Sequence, residues 1–257
     1  MIFIFLGLLL FAYMSLWFVL SVFKKKNDVA DVAWGLGFVM LAVFSFLLNE
    51  VPSVLSSVVT LLVTIWGLRL AYHIYFRNKG KPEDYRYATW RVQWGKWFYL
   101  RSYFQIYILQ GILLFVISLP VLFINIYCVK SFGILATVGV LVWIFGFFFE
   151  SVGDAQLKRF IKNPANKGKL MQDGLWKYTR HPNYFGEVTQ WWGIFIIALN
   201  VPYGWVTIIG PLTITFLILK VSGVPMLEKK MEQNPEFAEY KKRTSMFIPL
   251  PVKKEKI

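Results

Sequence analysis

Between Tyr178 and Gln190 the chain reads Tyr-Thr-Arg-His-Pro-Asn-Tyr-Phe-Gly-Glu-Val-Thr-Gln, a basic proline turn running into an apolar segment with a carboxylate one turn inside. Ionisable side chains at mid-helix in a membrane cost about 2.5–3.5 kcal/mol on insertion scales, so Glu187 calls for a partner, a cavity or a ligand. Other apolar runs repeat the pattern. Arg69 and His73 stand four apart, Glu150 and Asp154 four apart, Glu187 and Gln190 three apart beside Trp191, and Asp28 and Asp31 open a further run. Residues three or four apart share a helix face. A single polar pocket, open to water at one end and roofed by apolar helices, would satisfy them all. The competing account is that Arg69 pairs with Asp31 or Glu150 merely to hold helices together.

Basic residues cluster at the same ends: Lys79, Lys81, Lys158, Arg159, Lys162 and Arg180. Retention at the inner leaflet would explain their sign. Asp154, Asn183 and Glu187 are interleaved with them, and that needs more. Cations meet phosphate, whereas carboxylates and amides bond hydroxyls and amides, which together suit a nucleotide. Trp176 and Tyr178 add flat faces for a ring. No Gly-x-Gly-x-x-Gly or Walker pattern occurs, which excludes a Rossmann or P-loop site. His181 has three open roles: general acid, loop cap or headgroup contact. Cys128 is the lone cysteine, and no Cys/His spacing suits zinc, so no metal is expected.

The elements that position these groups are membrane spans. Of 257 residues, 57% are hydrophobic, and runs of spanning length recur throughout. The spans fall at about 2–23, 29–48, 53–76, 103–126, 132–153, 184–200 and 203–222. The expected fold is therefore all-α, a polytopic membrane helical bundle of about seven transmembrane helices in a single domain, 1–257. Net charge is +14, yet its distribution speaks for topology rather than nucleic acid. With the amino terminus outside, all but Lys130 and Arg69 of the 28 Lys and Arg fall on the cytoplasmic side. That bias sets the amino terminus out and the carboxyl terminus in. The first run lacks a basic start and a cleavage site, so it reads as a retained span. Tyr87, Trp90, Trp94 and Trp97 recur at three and four residues, which predicts an interfacial helix. Asn234-Pro235 predicts the start of a short amphipathic helix with Phe237 and Tyr240 on one face.

The segment Arg180-His-Pro-Asn-Tyr-Phe-Gly-Glu187, followed by Trp191-Trp192-Gly193, resembles the carboxyl-terminal motif of the steroid 5-alpha-reductase superfamily. The likeness is greatest to its bacterial DUF1295 branch. Supporting segments are Asp31 to Phe38, Trp66 to Arg69, Glu83 to Tyr87, Gly153 to Leu157 and Arg243 to Pro249. The resemblance implies a seven-helix reductase that holds NADPH in a cytoplasm-facing pocket and reduces a carbon–carbon double bond of a lipid or sterol-like substrate. It places Asn183 and Glu187 near the nicotinamide, and Asp154 and Glu150 at the end of the fifth span. Lys79, Lys81 and Arg243 fall where the family carries basic residues. Steroid reductases use a Glu on the second span and a Tyr on the third; here stand Asp28 or Asp31, and Trp66.

The expected function is hydride transfer from NADPH to an activated alkene in a lipid-soluble substrate. Asp31, held protonated by apolar surroundings, is the candidate donor to the developing charge, with Glu187 as the second catalytic residue. The expected cofactor residues are Asn183, Asp154, Glu150, Lys158, Lys162, Tyr178, Arg180, His181, Lys79, Lys81 and Arg243. Membrane lipids are the other expected partner, nucleic acid is not one, and the setting is a bacterial inner membrane. Two alternatives stay open: an S-adenosylmethionine-dependent methyltransferase of the isoprenylcysteine carboxyl methyltransferase type, which also carries Arg-His-Pro-x-Tyr-x-Gly, and a non-enzymatic lipid-binding protein.

Overall fold

A computed structural model describes residues 1–127 and 132–252, and every regular element within them is helical. In chain order these are α1 (Ile2–Lys24), α2 (Val29–Leu47), α3 (Val54–Asn78), α4 (Tyr85–Trp94), α5 (Phe98–Ser102), α6 (Leu109–Tyr127), α7 (Ile134–Lys162), α8 (Pro182–Ala198), α9 (Ile209–Phe216), α10 (Val224–Met231) and α11 (Phe237–Arg243). A π-helical stretch, Tyr103–Ile108, leads into α6, and a second, Leu217–Val221, follows α9. Cys128 and Lys130 lie outside the described residues.

Among the described residues, six stretches are long and apolar enough to cross a membrane: α1, α2, α3, Tyr85–Tyr127, α7 and Gly204–Met231. This fits an integral multi-pass membrane protein. The segment expected as a span at 184–200 is α8, a helix of 17 residues. At 1.5 Å per residue it covers about 25 Å, against roughly 30 Å of hydrocarbon. No residue from His181 to Ala198 is exposed.

The chain, expected as one membrane domain, divides into two compact units. One comprises Met1–Gly133 with Ala198–Gly210, the other Ile134–Ile197 with Pro211–Ile257. In the first, α1, α2, α3 and α6 pack together. Gly35 and Gly67 let α2 and α3 meet backbone to backbone, since a methyl at Gly35 would stand 2.7 Å from the Gly67 carbonyl. Ser53 caps α3 by accepting from the Ser56 N–H at 3.1 Å. Asn125 ties three helices, its amide donating to Ala42 O at 3.0 Å, Ser45 Oγ at 2.9 Å and Thr60 Oγ1 at 3.0 Å.

In the second unit, glycines spaced by seven form a seam between α7 and α8. Gly139 faces Gly193, Gly146 faces Gly186, and Gly153 meets Pro182 and Asn183. A methyl at Gly139 or Gly146 would stand 2.6 Å from the facing carbonyl. A seven-residue repeat keeps two helices in register along a shallow left-handed crossing. The pairing order also makes them antiparallel. Beyond α7, the loop is pinned by the Trp176 indole N–H, which donates to Gly153 O at 3.1 Å. The predicted amphipathic helix is α11, and Phe237 and Tyr240 share its buried face, each 2% exposed. The Tyr240 hydroxyl donates to Trp176 O at 2.5 Å, and burial raises its pKa, so it stays a donor.

Candidate functional site

The seam decides which polar side chains of α7 and α8 meet. Glu150 lies one turn past Gly146, and Asp154 directly follows Gly153, so both sit where the helices come closest. Across the seam, Asn183, Glu187 and Gln190 fall at intervals of four and three, on one face of α8. Two acid–amide pairs result. Gln190 Nε2 donates to Glu150 Oε2 at 2.5 Å, and Asn183 Nδ2 donates to Asp154 Oδ1 at 3.1 Å. Glu150 is 3% exposed and Gln190 2%.

Along α7 the sequence Glu150, Asp154, Lys158, Lys162 advances by four, so each is the helical neighbour of the last. Exposure rises along this stripe. Glu150 is buried, Asp154 half-buried, Lys158 and Lys162 exposed. Carboxylates lie at the inner end and cations at the outer end.

A second cluster forms where α8 begins. Arg180 donates to Glu228 of α10 through Nε at 2.8 Å, with Nη2 2.7 Å from the same oxygen. Its Nη1 donates to Thr244 O at 2.6 Å. The guanidinium, in a residue 4% exposed, thereby fastens α10 and the end of α11 to the start of α8. His181 is fully buried, and its Nε2 lies 3.2 Å from the same Glu228 oxygen. His181 Nδ1 and Gln190 Oε1 are buried and have no hydrogen-bond partner among the described residues.

The family model described as "Protein of unknown function (DUF1295)" matches residues 17–244. The chain belongs to that family. No curated protein and no solved structure matches it.

The first unit of this DUF1295 protein carries a further polar network around the start of α2. Arg86 Nη2 lies 2.8 Å from Asp31 Oδ2, and the Tyr87 hydroxyl donates to Asp31 Oδ1 at 2.7 Å. Asp84 caps α4 by accepting from the Arg86 N–H at 3.0 Å, and also accepts from Arg86 Nε at 2.9 Å. Arg91 donates to both oxygens of Glu83, at 2.9 and 3.1 Å, and Glu83 accepts from the Asn27 N–H at 2.7 Å. Asp28 differs from its neighbours: it is 5% exposed and its side chain does not cap α2. Burial pushes its pKa up. The Lys26 charge opposes this, and Asp31, Glu83 and Asp84 add to it. For Asp84, burial pulls the same way, but the bonds and charge of Arg86 outweigh it and hold the carboxyl below its usual range.

These contacts correct several sequence expectations. The surroundings of Asp31 are not apolar: its two oxygens accept from the Arg86 guanidinium and the Tyr87 hydroxyl. Its ion-pair partner is Arg86, not Arg69. Arg180 and His181 face Glu228 rather than an open site. Tyr178 is 44% exposed, and Arg243, also exposed, donates to Gln172 Oε1. Lys79 and Lys81 are exposed and belong to the first unit, where Lys26 Nζ donates to Lys81 O. Sequence reasoning missed Glu228 as a site member, whereas Gln190 was readable from its place three residues after Glu187. Glu228 lies 48 residues from Arg180, and no spacing rule spans that separation.

Proposed function

We propose that this DUF1295 protein is a membrane-embedded, NADPH-dependent reductase of a carbon–carbon double bond in a lipid-soluble substrate. The α7 stripe carries this reading. Its inner half offers carboxylates paired with amides, and its outer half offers two exposed cations. A dinucleotide has the same polarity, with a primary carboxamide at one end and phosphates beyond it. The residues present fit the group. Gln190 Oε1 is a buried acceptor without a donor, a state that costs about 1–3 kcal/mol until a ligand N–H meets it.

In this account Asn183, Glu187 and Gln190 orient the carboxamide from one face of α8, and Asp154 fixes the Asn183 amide. Lys158 and Lys162 hold phosphate oxygens. NADPH, when bound, supplies a hydride to an electron-poor carbon. The chain supplies placement and exclusion of water.

The methyltransferase alternative rests on the shared Arg-His-Pro turn and a glutamate pair after the last span. Only Glu228 stands at that place, followed by Lys229, and it is already engaged by Arg180 and His181. Thermal melts of the purified protein with NADPH, NADH and S-adenosylmethionine separate the readings. The account expects NADPH to raise the melting temperature most, NADH less and S-adenosylmethionine not at all. A shift with S-adenosylmethionine alone transfers the site to methyl transfer, and no shift with any of them removes the enzyme reading.

A further inference from the structure

After α11 the chain runs from Ser245 to Leu250 beside the turn that precedes α8, bending at Met246, Phe247 and Ile248. Thr179 and Ser245 form a parallel bridge. The Arg180 N–H donates to Ser245 O at 2.9 Å, and the Leu250 N–H donates to Tyr178 O at 3.0 Å. Side-chain exposure alternates along it, with Met246, Ile248 and Leu250 exposed and Phe247 and Pro249 less so. Phe247 turns inward onto Phe185, ring centroids 5.7 Å apart. Met246, Ile248 and Leu250 turn outward, 42%, 60% and 51% exposed.

Ring contacts tie this strap to α8. Phe185 lies one turn inside α8 and packs on Phe149 of α7 at 5.2 Å and Phe145 at 6.3 Å. Phe145 and Phe148 are themselves half-exposed, on a helix apolar enough to cross a membrane. Through Phe185 the strap is thus tied to rings of a helix apolar enough to cross a membrane. Immediately before the strap, α11 ends in Lys241, Lys242 and Arg243, all exposed. Their acidic neighbours are surface contacts, Lys242 to Glu239 at 3.4 Å and Lys241 to Glu232 at 3.8 Å, too weak to neutralise the end. Three aliphatic side chains also fall far short of the roughly 800 Å² per partner that a stable protein interface buries.

We propose that the Ser245–Leu250 strap is an interfacial anchor for a leaflet rich in anionic phospholipid. Met246, Ile248 and Leu250 enter the acyl boundary while the basic end of α11 meets the phosphates. This inference is independent of the cofactor reading. Its test uses nitroxide labels at Met246→Cys, Ile248→Cys and Leu250→Cys in a Cys128→Ser background, Cys128 being the sole native cysteine. The protein is placed in nanodiscs with or without phosphatidylglycerol, and label collisions with oxygen and with an aqueous nickel chelate are compared. All three labels should favour oxygen several-fold, more so with phosphatidylglycerol, whereas a label at the exposed loop residue Lys167 should favour nickel. Lys241→Gln with Lys242→Gln should shrink the difference between the two lipid mixtures. Labels open to nickel would overturn the proposal, as would labels screened from both reagents, which would mean that protein, such as a second copy, covers the row. Equal depth in both lipids would also overturn it, by removing the anionic headgroup as partner.

Discussion

At the scale of single residues, Asp28 and Asp84 differ in what surrounds their carboxyls, and the difference sets opposite pH dependences. Asp28 is buried beside other carboxylates, so its folded pKa lies above the ordinary value of about 3.9. Its contribution to stability is full below that value and is lost as pH rises through the folded pKa. Asp28→Asn should therefore melt at or above the parent protein at neutral pH, with the gain vanishing in acid. Asp84 is held below its usual range by Arg86, despite its burial. Its contribution is present above the ordinary value and is lost as pH falls through the folded pKa. Asp84→Asn keeps a helix-capping side chain yet should melt below the parent at neutral pH, with the deficit closing in acid. Melts of both variants across pH in one detergent check the pair, and the same sign for both would contradict the argument. Glu228 is the sharper case. Glu228→Gln leaves the buried Arg180 guanidinium without its counter-charge, which should cost about 3 kcal/mol in denaturant titration. A loss typical of an exposed pair, under about 1 kcal/mol, would mean that solvent reaches the cluster.

At the scale of elements, the α7–α8 seam places the site. A methyl at Gly186 would stand 2.5 Å from the Gly146 carbonyl, so Gly186→Ala must push the helices apart. The expected loss is about 1–3 kcal/mol, together with weaker pairing of Glu150 with Gln190. Gly7 of α1 is the control: nothing stands within 4 Å of its would-be methyl, so Gly7→Ala should be neutral or stabilise by roughly 0.5–1 kcal/mol through helix propensity. Equal melting temperatures for the two variants would show that the seam is not close-packed. Much of this scale was readable beforehand. Apolar runs locate α1, α2, α3 and α7 to within a few residues or up to about nine, and Asn234-Pro235 marks the helix that buries Phe237 and Tyr240. The run expected at 184–200 has the 17-residue length of α8, displaced by two residues. The seam was not readable, since glycines seven apart acquire meaning only once two helices are known to face each other.

At the scale of the whole molecule, the unreadable contacts are those distant in sequence. Asp31 meets Arg86 across 55 residues, and Arg180 meets Glu228 across 48. Each residue type signals that a partner is needed, but only folding selects it. The acid–amide pairs were half-legible: intervals of three and four put Asn183, Glu187 and Gln190 on one face, while their opposite numbers on α7 depend on the glycine register. What emerges is a helical membrane protein whose inner carboxylates and amides grade into exposed lysines along one helix. The claim that this gradient grips a dinucleotide is tested most directly by titrating the purified protein with NADPH and following the cofactor's fluorescence. Saturable binding that is lost in Lys158→Glu/Lys162→Glu, in a variant that melts like the parent, is the predicted result. Binding that is absent in the parent, or unchanged in the charge-reversed variant, would contradict it.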